Sequence, residues 1–217
     1  MNTPINDTIA LLVKDTTPPF SRQKIVWALI LLFPASIGLT YLASICTDTP
    51  IRADYFSALR QSFVLAKQAI PALLILGLLP ILAALFRPES KPQRTWLYLL
   101  GIAGIIDILI ITELITQPAH KWGPLILGNS LPQCLIGISV IASASLGITL
   151  YILRQGAVTH PILSGFLAGL LAGALGVFLY AFLCTEDSPL FYGIWYSLAV
   201  LLMGGFGAIL GQKILRW

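Results

Sequence analysis

Six long apolar runs, separated by short stretches of mixed charge, constrain this chain more than any other feature. They cover Ile25–Ile45, Gln68–Phe86, Trp96–Ile115, Cys134–Leu153, Pro161–Cys184 and Phe191–Gly211. Each is about 20 residues long, the length a helix needs to cross a hydrocarbon core of roughly 30 Å. Only backbone that satisfies its own hydrogen bonds is tolerated there, so the runs are expected to be α-helices. The expected fold class is all-α: a polytopic membrane protein of six transmembrane helices. A segment over residues 1–24 precedes a helical domain over 25–217.

Composition agrees: 57% of the 217 residues are hydrophobic and 10% charged, against about a quarter charged in soluble domains. What the spans leave over is too little for a soluble domain with its own core. A net charge of +4 and a pI near 9.1 could suggest a nucleic-acid partner. The basic residues instead stand singly at the ends of apolar runs, the pattern of anchoring to membrane lipid. No nucleic-acid partner is expected. The first run is read as a span and not a signal peptide, because it follows 24 mostly polar residues and exceeds an h-region in length.

Basic residues also set the expected orientation. Lys14, Arg22, Lys24, Arg87, Lys91, Arg94, Arg154, Lys213 and Arg216 fall on one side, nine in all, against Arg52, Arg60, Lys67 and Lys121 on the other. Both termini are therefore expected in the cytoplasm, with the 46–67, 116–133 and 185–190 loops outside. All three cysteines, Cys46, Cys134 and Cys184, then lie at the outer membrane face. Cys134 stands about 20 residues before the short 154–160 turn and Cys184 about 24 after it, so their heights differ by only about 6 Å on antiparallel helices. The two thiols are free to meet. A lone cysteine in a span reads as small apolar packing. Three at one boundary also suit thiol redox chemistry or capture of a soft metal ion. His120, Glu186 and Asp187 stand near enough in sequence to add ligands, yet no spacing diagnostic of a metal site is present. From the residues alone these readings stay open.

Within the spans, Asp107 is costly at mid-membrane depth and must face protein or water. It reads as an acid locking helices together, with Ser143, Ser145 or Thr149 as partners, more readily than as a proton relay. Glu113 lies nearer the outer face, where Lys67 could reach it with a snorkelling side chain. Gly165, Gly169 and Gly173, four apart, face the prospect of a close partner in Gly207 and Gly211. The last two spans should pack tightly against each other or against a second copy in a homo-oligomer. There is no Walker loop, nucleophile elbow, HxxxH or dinucleotide fingerprint, so neither an enzyme nor a cofactor is expected. A small proton- or ion-coupled transporter using Asp107 and Glu113 is the competing class. At the N-terminus, Asp7–Asp15 carries Ile9, Leu12 and Val13 at helical spacing and ends at Asp15 before a Thr-Thr-Pro-Pro stop. Two turns of helix are marginal alone and need a surface to order them.

The second half carries a recognisable order of residues. Leu131-Pro132-Gln133-Cys134 is followed by the Gly165–Gly173 series. Tyr180-Ala181-Phe182-Leu183-Cys184-Thr185-Glu186-Asp187-Ser188-Pro189 comes next, then Gly193-Ile194-Trp195-Tyr196 and a terminal Leu215-Arg216-Trp217. This resembles the NrsF family of six-span inner-membrane proteins, negative regulators of an extracytoplasmic-function sigma factor, and extends through Lys67, Arg87-Pro88 and Leu11–Asp15. The resemblance implies an anti-sigma factor in the bacterial inner membrane that holds its sigma factor and releases it under stress. It implies Cys134 and Cys184 as sensor thiols and leaves Cys46 without a counterpart. It also makes Ile9, Leu12, Val13 and Asp15 candidates for docking the sigma factor. Glu89 follows Pro88 where glycine is common in the family.

Overall fold

A computed structural model of the chain describes residues 52–85, 95–155 and 158–215, with scattered helical positions between Pro34 and Ile45. The N-terminal docking candidates Ile9, Leu12, Val13 and Asp15, the extra Cys46 and most of the first apolar run lie outside these residues. Seven α-helices and one 3-10 turn are described, and no strand occurs among the described residues. They are α1 (Tyr55–Ala58), α2 (Ser62–Leu85), α3 (Thr95–Thr116), α4 (Trp122–Leu127), α5 (Leu131–Arg154), α6 (Pro161–Tyr180) and α7 (Pro189–Ile214), with the 3-10 turn at Ala119–Lys121.

Five of these helices are long and apolar enough to cross a membrane: α2, α3, α5, α6 and α7. They correspond to the second through sixth apolar runs. Three start with proline in the first turn, at Pro132, Pro161 and Pro189, where the missing N–H costs nothing and the fixed φ favours a helix. Pro71 and Pro80 lie inside α2 without ending it. The fifth run is shorter than its apolarity suggests. α6 stops at Tyr180, and residues 181–183 form a turn, so Cys184 lies beyond the helix and not at its end.

α6 is the centre of the bundle. In its apolar window 78% of residues are buried inside the protein, against 11% for α3, so α3 is peripheral and presents most of its surface outward. α6 packs most heavily on α7, then on α5 and α2, while α3 leans on α7 and less on α2. The expected antiparallel pairing of the fourth and fifth runs is present as α5 against α6.

The seam between α6 and α7 explains its glycines. A Cβ on Gly165 would sit 2.8 Å from Gly211 Cα, one on Gly169 2.8 Å from Gly204 Cα, and one on Gly173 2.8 Å from Val200 Cα. Gly207 faces Gly169 in the same way. These are backbone atoms, which cannot swing aside. Small residues let two helix backbones approach so closely that dispersion contacts replace a missing hydrophobic drive in lipid. The glycine expectation therefore resolves to packing within one chain.

Asp107 departs from expectation. It is exposed among the described residues, on a helix whose principal neighbours are α7 and α2. Ser143, Ser145 and Thr149 on α5 donate to carbonyls of their own helix one turn back. An Asp107 bridge to these hydroxyls is not formed, because α3 and α5 do not share a main interface.

Candidate functional site

The segments 52–61, 117–130 and 181–188 meet at one end of the bundle, opposite the end where α7 finishes. Beneath them lie Cys134 and Cys184. Cys134 sits in the first turn of α5, its N–H donating to Ser130 O at 2.9 Å. Cys184 is placed by the tight exit from α6, where Leu183 N and Cys184 N both donate to Tyr180 O, at 2.9 and 3.1 Å. This folds the chain back over the helix end and carries the Cys184 side chain onto α5. The two thiols touch and are unbridged. Exposure is 0% for Cys134 and 3% for Cys184, so the pair is shielded from bulk water. Tyr180 and Tyr196 complete its walls; the Tyr196 hydroxyl lies against the Cys184 sulfur without a well-formed hydrogen bond. Gly137 is needed opposite Tyr180, since any Cβ there would strike the ring.

Lys67 holds the cover over the thiols. Its side chain is 2% exposed, and Nζ donates to Cys184 O and Glu186 O at 2.8 Å each and to Asp187 Oδ1 at 3.3 Å. All three ammonium protons are thereby used. Asp187 is shared: Arg52 Nη1 donates to both its oxygens, at 2.8 and 2.7 Å. Arg52 also grips Asp54 through Nε and Nη2, at 2.7 and 3.0 Å. Its own backbone N–H reaches Phe182 O at 3.2 Å, and the Tyr55 and Phe182 rings stack with centroids 4.7 Å apart. The hydrogen bond to Asp54, with Asp187 adding to it, holds the Arg52 guanidinium above its ordinary value. Asp54 is held below the usual carboxylate range by Arg52. A buried cation with every donor matched is stable only as a set, because each unpaired member would carry its desolvation cost alone.

The expected Lys67–Glu113 pair is absent. Glu113, 6% exposed, instead accepts through Oε2 from Ser188 Oγ at 2.8 Å and Leu190 N at 2.6 Å. Ser188 is the residue before α7 and makes no capping bond of its own. A carboxylate on α3 thus caps α7, matching an orphan amide and the positive end of the helix dipole. Lys67 is drawn elsewhere because the 184–187 backbone offers it two carbonyls and a carboxylate.

Glu186 turns outward from the thiols and accepts the Asn129 N–H at 2.8 Å. Gly128 beside it has φ 55, a left-handed conformation that glycine adopts without penalty. A Cβ there would also meet the Phe191 ring at 2.7 Å. The apolar helix α4, unanticipated within the 116–133 loop, is fastened to α7 by Trp195 Nε1 donating to Ile126 O at 2.7 Å. His120 is exposed on the 3-10 turn. Among the described residues no group of three or more His, Cys, Asp or Glu is placed to hold a metal ion. Of the accessory candidates among the described residues, Asp187 and the Glu186 carbonyl join the cover over the thiols and the His120 side chain does not.

A pair of touching thiols can do two things. It can lose two electrons and two protons to become a disulfide, or lose protons and bind a soft cation through sulfur. Sequence reasoning missed Arg52, Tyr180 and Tyr196. The Arg-x-Asp spacing at 52 and 54 was a local hint, but nothing in it pointed across the chain to Asp187.

A family model described as NrsF, negative regulator of sigma F, matches residues 12–217. The anti-sigma-F factor NrsF of Caulobacter vibrioides (strain NA1000 / CB15N) is 35% identical over 146 residues, 66% of this chain and 68% of that protein. The probable anti-sigma-F factor NrsF of Azospira oryzae (strain ATCC BAA-33 / DSM 13638 / PS) is 30% identical over 168 residues, 77% of this chain and 78% of the relative. No solved structure matches the chain.

Proposed function

The chain belongs to the NrsF family of negative regulators of sigma F, and from that premise we propose an inner-membrane anti-sigma factor gated by its thiol pair. It sequesters an extracytoplasmic-function sigma factor at the cytoplasmic face, where both termini lie. It releases that factor when Cys134 and Cys184 react at the outer face. The observation that carries the reading is the thiol pair itself: a cysteine in the first turn of α5 and one just beyond the end of α6, in contact, unbridged and covered by the Lys67–Asp187–Arg52 set. With hydrogen peroxide as oxidant, two thiols give one disulfide and two waters. With a thiophilic divalent cation, two thiols release two protons and bind it.

Either event ties the first turn of α5 to the loop leaving α6. A signal can shift an equilibrium only by its differential free energy between the two states. A disulfide is worth about 2–4 kcal/mol, enough to move populations about 30- to 700-fold at 1.4 kcal/mol per decade. The shift reaches the docking surface through α6 and α7, which are joined backbone to backbone at the glycine seam. The N-terminal residues Ile9, Leu12, Val13 and Asp15 provide the apolar and acidic contacts for the sigma factor. Replacing both Cys134 and Cys184 by serine should leave sigma-factor binding intact and abolish induction. Induction that persists in the double variant would sink the sensor role. The transporter alternative relies on Asp107 and Glu113. One is exposed and the other is engaged in capping α7, so the two mark no common path.

A further inference from the structure

Two touching thiols are chemically equal only if their surroundings are, and here the surroundings differ. Cys134 is the fourth residue of α5, and its N–H is already bonded to Ser130 O at 2.9 Å. The positive end of a helix favours charge on a cysteine, yet that effect fades within the first turn. The Cys134 sulfur is fully buried and faces Cys184. Cys184 stands on irregular backbone after α6, and donors from several elements turn towards its sulfur. The Cys134 thiol comes from α5, the Tyr196 hydroxyl from α7 and the Glu186 N–H from the loop itself. From α2 the Lys67 ammonium holds the Cys184 carbonyl at 2.8 Å, and its charge acts on the sulfur beside it. Asp187 shares that ammonium at 3.3 Å but is itself gripped by Arg52 at 2.7 Å.

Tyr196 supplies a second observation. It is 5% exposed, and its hydroxyl is buried without a hydrogen-bond partner although it lies against the Cys184 sulfur. A neutral thiol is a weak acceptor. An ionised acceptor makes bonds about twice as strong as a neutral one. The hydroxyl is therefore unmatched in the resting pair and matched once Cys184 is a thiolate. Tyr192, one turn earlier, lies instead towards Glu113 and Asp187.

We propose that the pair reacts with hydroperoxides in a fixed order: Cys184 is the attacking sulfur, Cys134 the resolving one, and Tyr196 the positioning residue whose hydroxyl steadies the attacking thiolate. This rests on the thiol-gated reading above and follows its redox branch. Local opening of the 184–187 cover admits the oxidant. The Cys184 sulfur attacks the O–O bond; an S–O bond forms, the O–O bond breaks, and hydroxide leaves with the Cys184 proton as water. Cys184 is left as a sulfenic acid, oxidised by two electrons while the peroxide is reduced. The Cys134 sulfur then attacks that sulfur. An S–S bond forms, the S–O bond breaks, and the hydroxyl leaves with the Cys134 proton as a second water.

The test uses the full chain with Cys46→Ser, purified in detergent, with hydrogen peroxide as oxidant. Dimedone traps sulfenic acid, and peptide mass spectrometry locates it. With Cys134→Ser added, the adduct is expected at Cys184. With Cys184→Ser instead, labelling of Cys134 should be at least about tenfold slower. With both thiols present, the disulfide should form with little adduct. Tyr196→Phe keeps the ring and should slow disulfide formation by about fivefold or more at an unchanged melting temperature. It should also shrink the thiolate ultraviolet band of Cys184 in the Cys134→Ser protein. A merely structural loss would loosen the cover and speed oxidation, so the sign of the change separates the two roles. Equal labelling of the two single-thiol proteins, or preference for Cys134, overturns the order of attack. Oxidation unchanged or faster in Tyr196→Phe overturns the role of the tyrosine. Cys134 and Cys184 both inert to peroxide overturn this proposal together with the redox branch of the gating reading. A disulfide formed in this order without release of the sigma factor sinks the gating reading alone and leaves the order of attack standing.

Discussion

Lys67→Met tests the cover over the thiols most directly. Methionine keeps a long flexible stem and removes only the ammonium. At 2% exposure the charge is scarcely screened by solvent. Its loss takes the Lys67 ammonium from Cys184 O and Glu186 O and leaves Asp187 with Arg52. Two buried carbonyls left unsatisfied cost about 1–3 kcal/mol each, and breaking a buried charge pair from one side costs about 3–5 kcal/mol. The two figures describe the same loss and agree at about 3–5 kcal/mol. For a domain of this size that lowers the melting temperature by about 6–20 °C. The local effect is more diagnostic. The 184–187 segment loses its tether to α2, so labelling of Cys184 by an impermeant maleimide in detergent-solubilised protein should rise well before global unfolding. Unchanged labelling together with an unchanged melting temperature would refute the claim that Lys67 holds the cover shut.

Glu113→Ala should destabilise by about 2 kcal/mol through loss of the α7 cap, while Glu113→Gln, which keeps an acceptor for Leu190 N, should cost about half that; thermal melts of both in detergent decide it. Gly169→Ala should separate α6 from α7 and lower the melting temperature by several degrees, because its new Cβ meets backbone. Gly205→Ala, with nothing within 4 Å, should be neutral or slightly stabilising. Arg52→Ala should release the 52–61 segment from Asp187, leaving its backbone bond to Phe182, and speed its proteolysis in the folded protein, read by mass spectrometry of the first cleavage products. A double Cys134→Ser/Cys184→Ser variant should lose stress induction of a sigma-dependent reporter and still co-purify with the sigma factor.

Apolar run length made the five long helices legible, since each of five runs became one helix of nearly the expected extent, while the short α1 and α4 went unforeseen. The α6–α7 seam was equally legible, because four-residue glycine spacing has few explanations in a bilayer. Counting rise on two antiparallel helices left Cys134 and Cys184 free to meet, and it is the turn after Tyr180, absent from that count, that brings Cys184 onto Cys134. What periodicity could not give was the partner of any side chain that reaches across the bundle. Lys67 and Glu113 have opposite charges at one depth, so they looked like a pair. Each found better partners in backbone left over at helix ends, Lys67 at the carbonyls after α6 and Glu113 at the amide of Leu190. Arg52 reaches a residue 135 positions away, a contact no local pattern encodes. The end of α6 at Tyr180 was hidden because residues 181–184 remain apolar while turning.

The α7 cap has a consequence for how the protein is made. Glu113 precedes Leu190 by 77 positions, so a ribosome delivers the acid to the bilayer well before the helix it serves exists. Until then α3 carries an acidic side chain with neither the Ser188 hydroxyl nor the Leu190 amide to meet it, a segment poised to linger beside the translocon. Arrival of Ser188 and Leu190 supplies both donors together. The arrival of α7 therefore completes the seating of a helix inserted well before it, and a truncation before Ser188 should strand α3 in the insertion machinery.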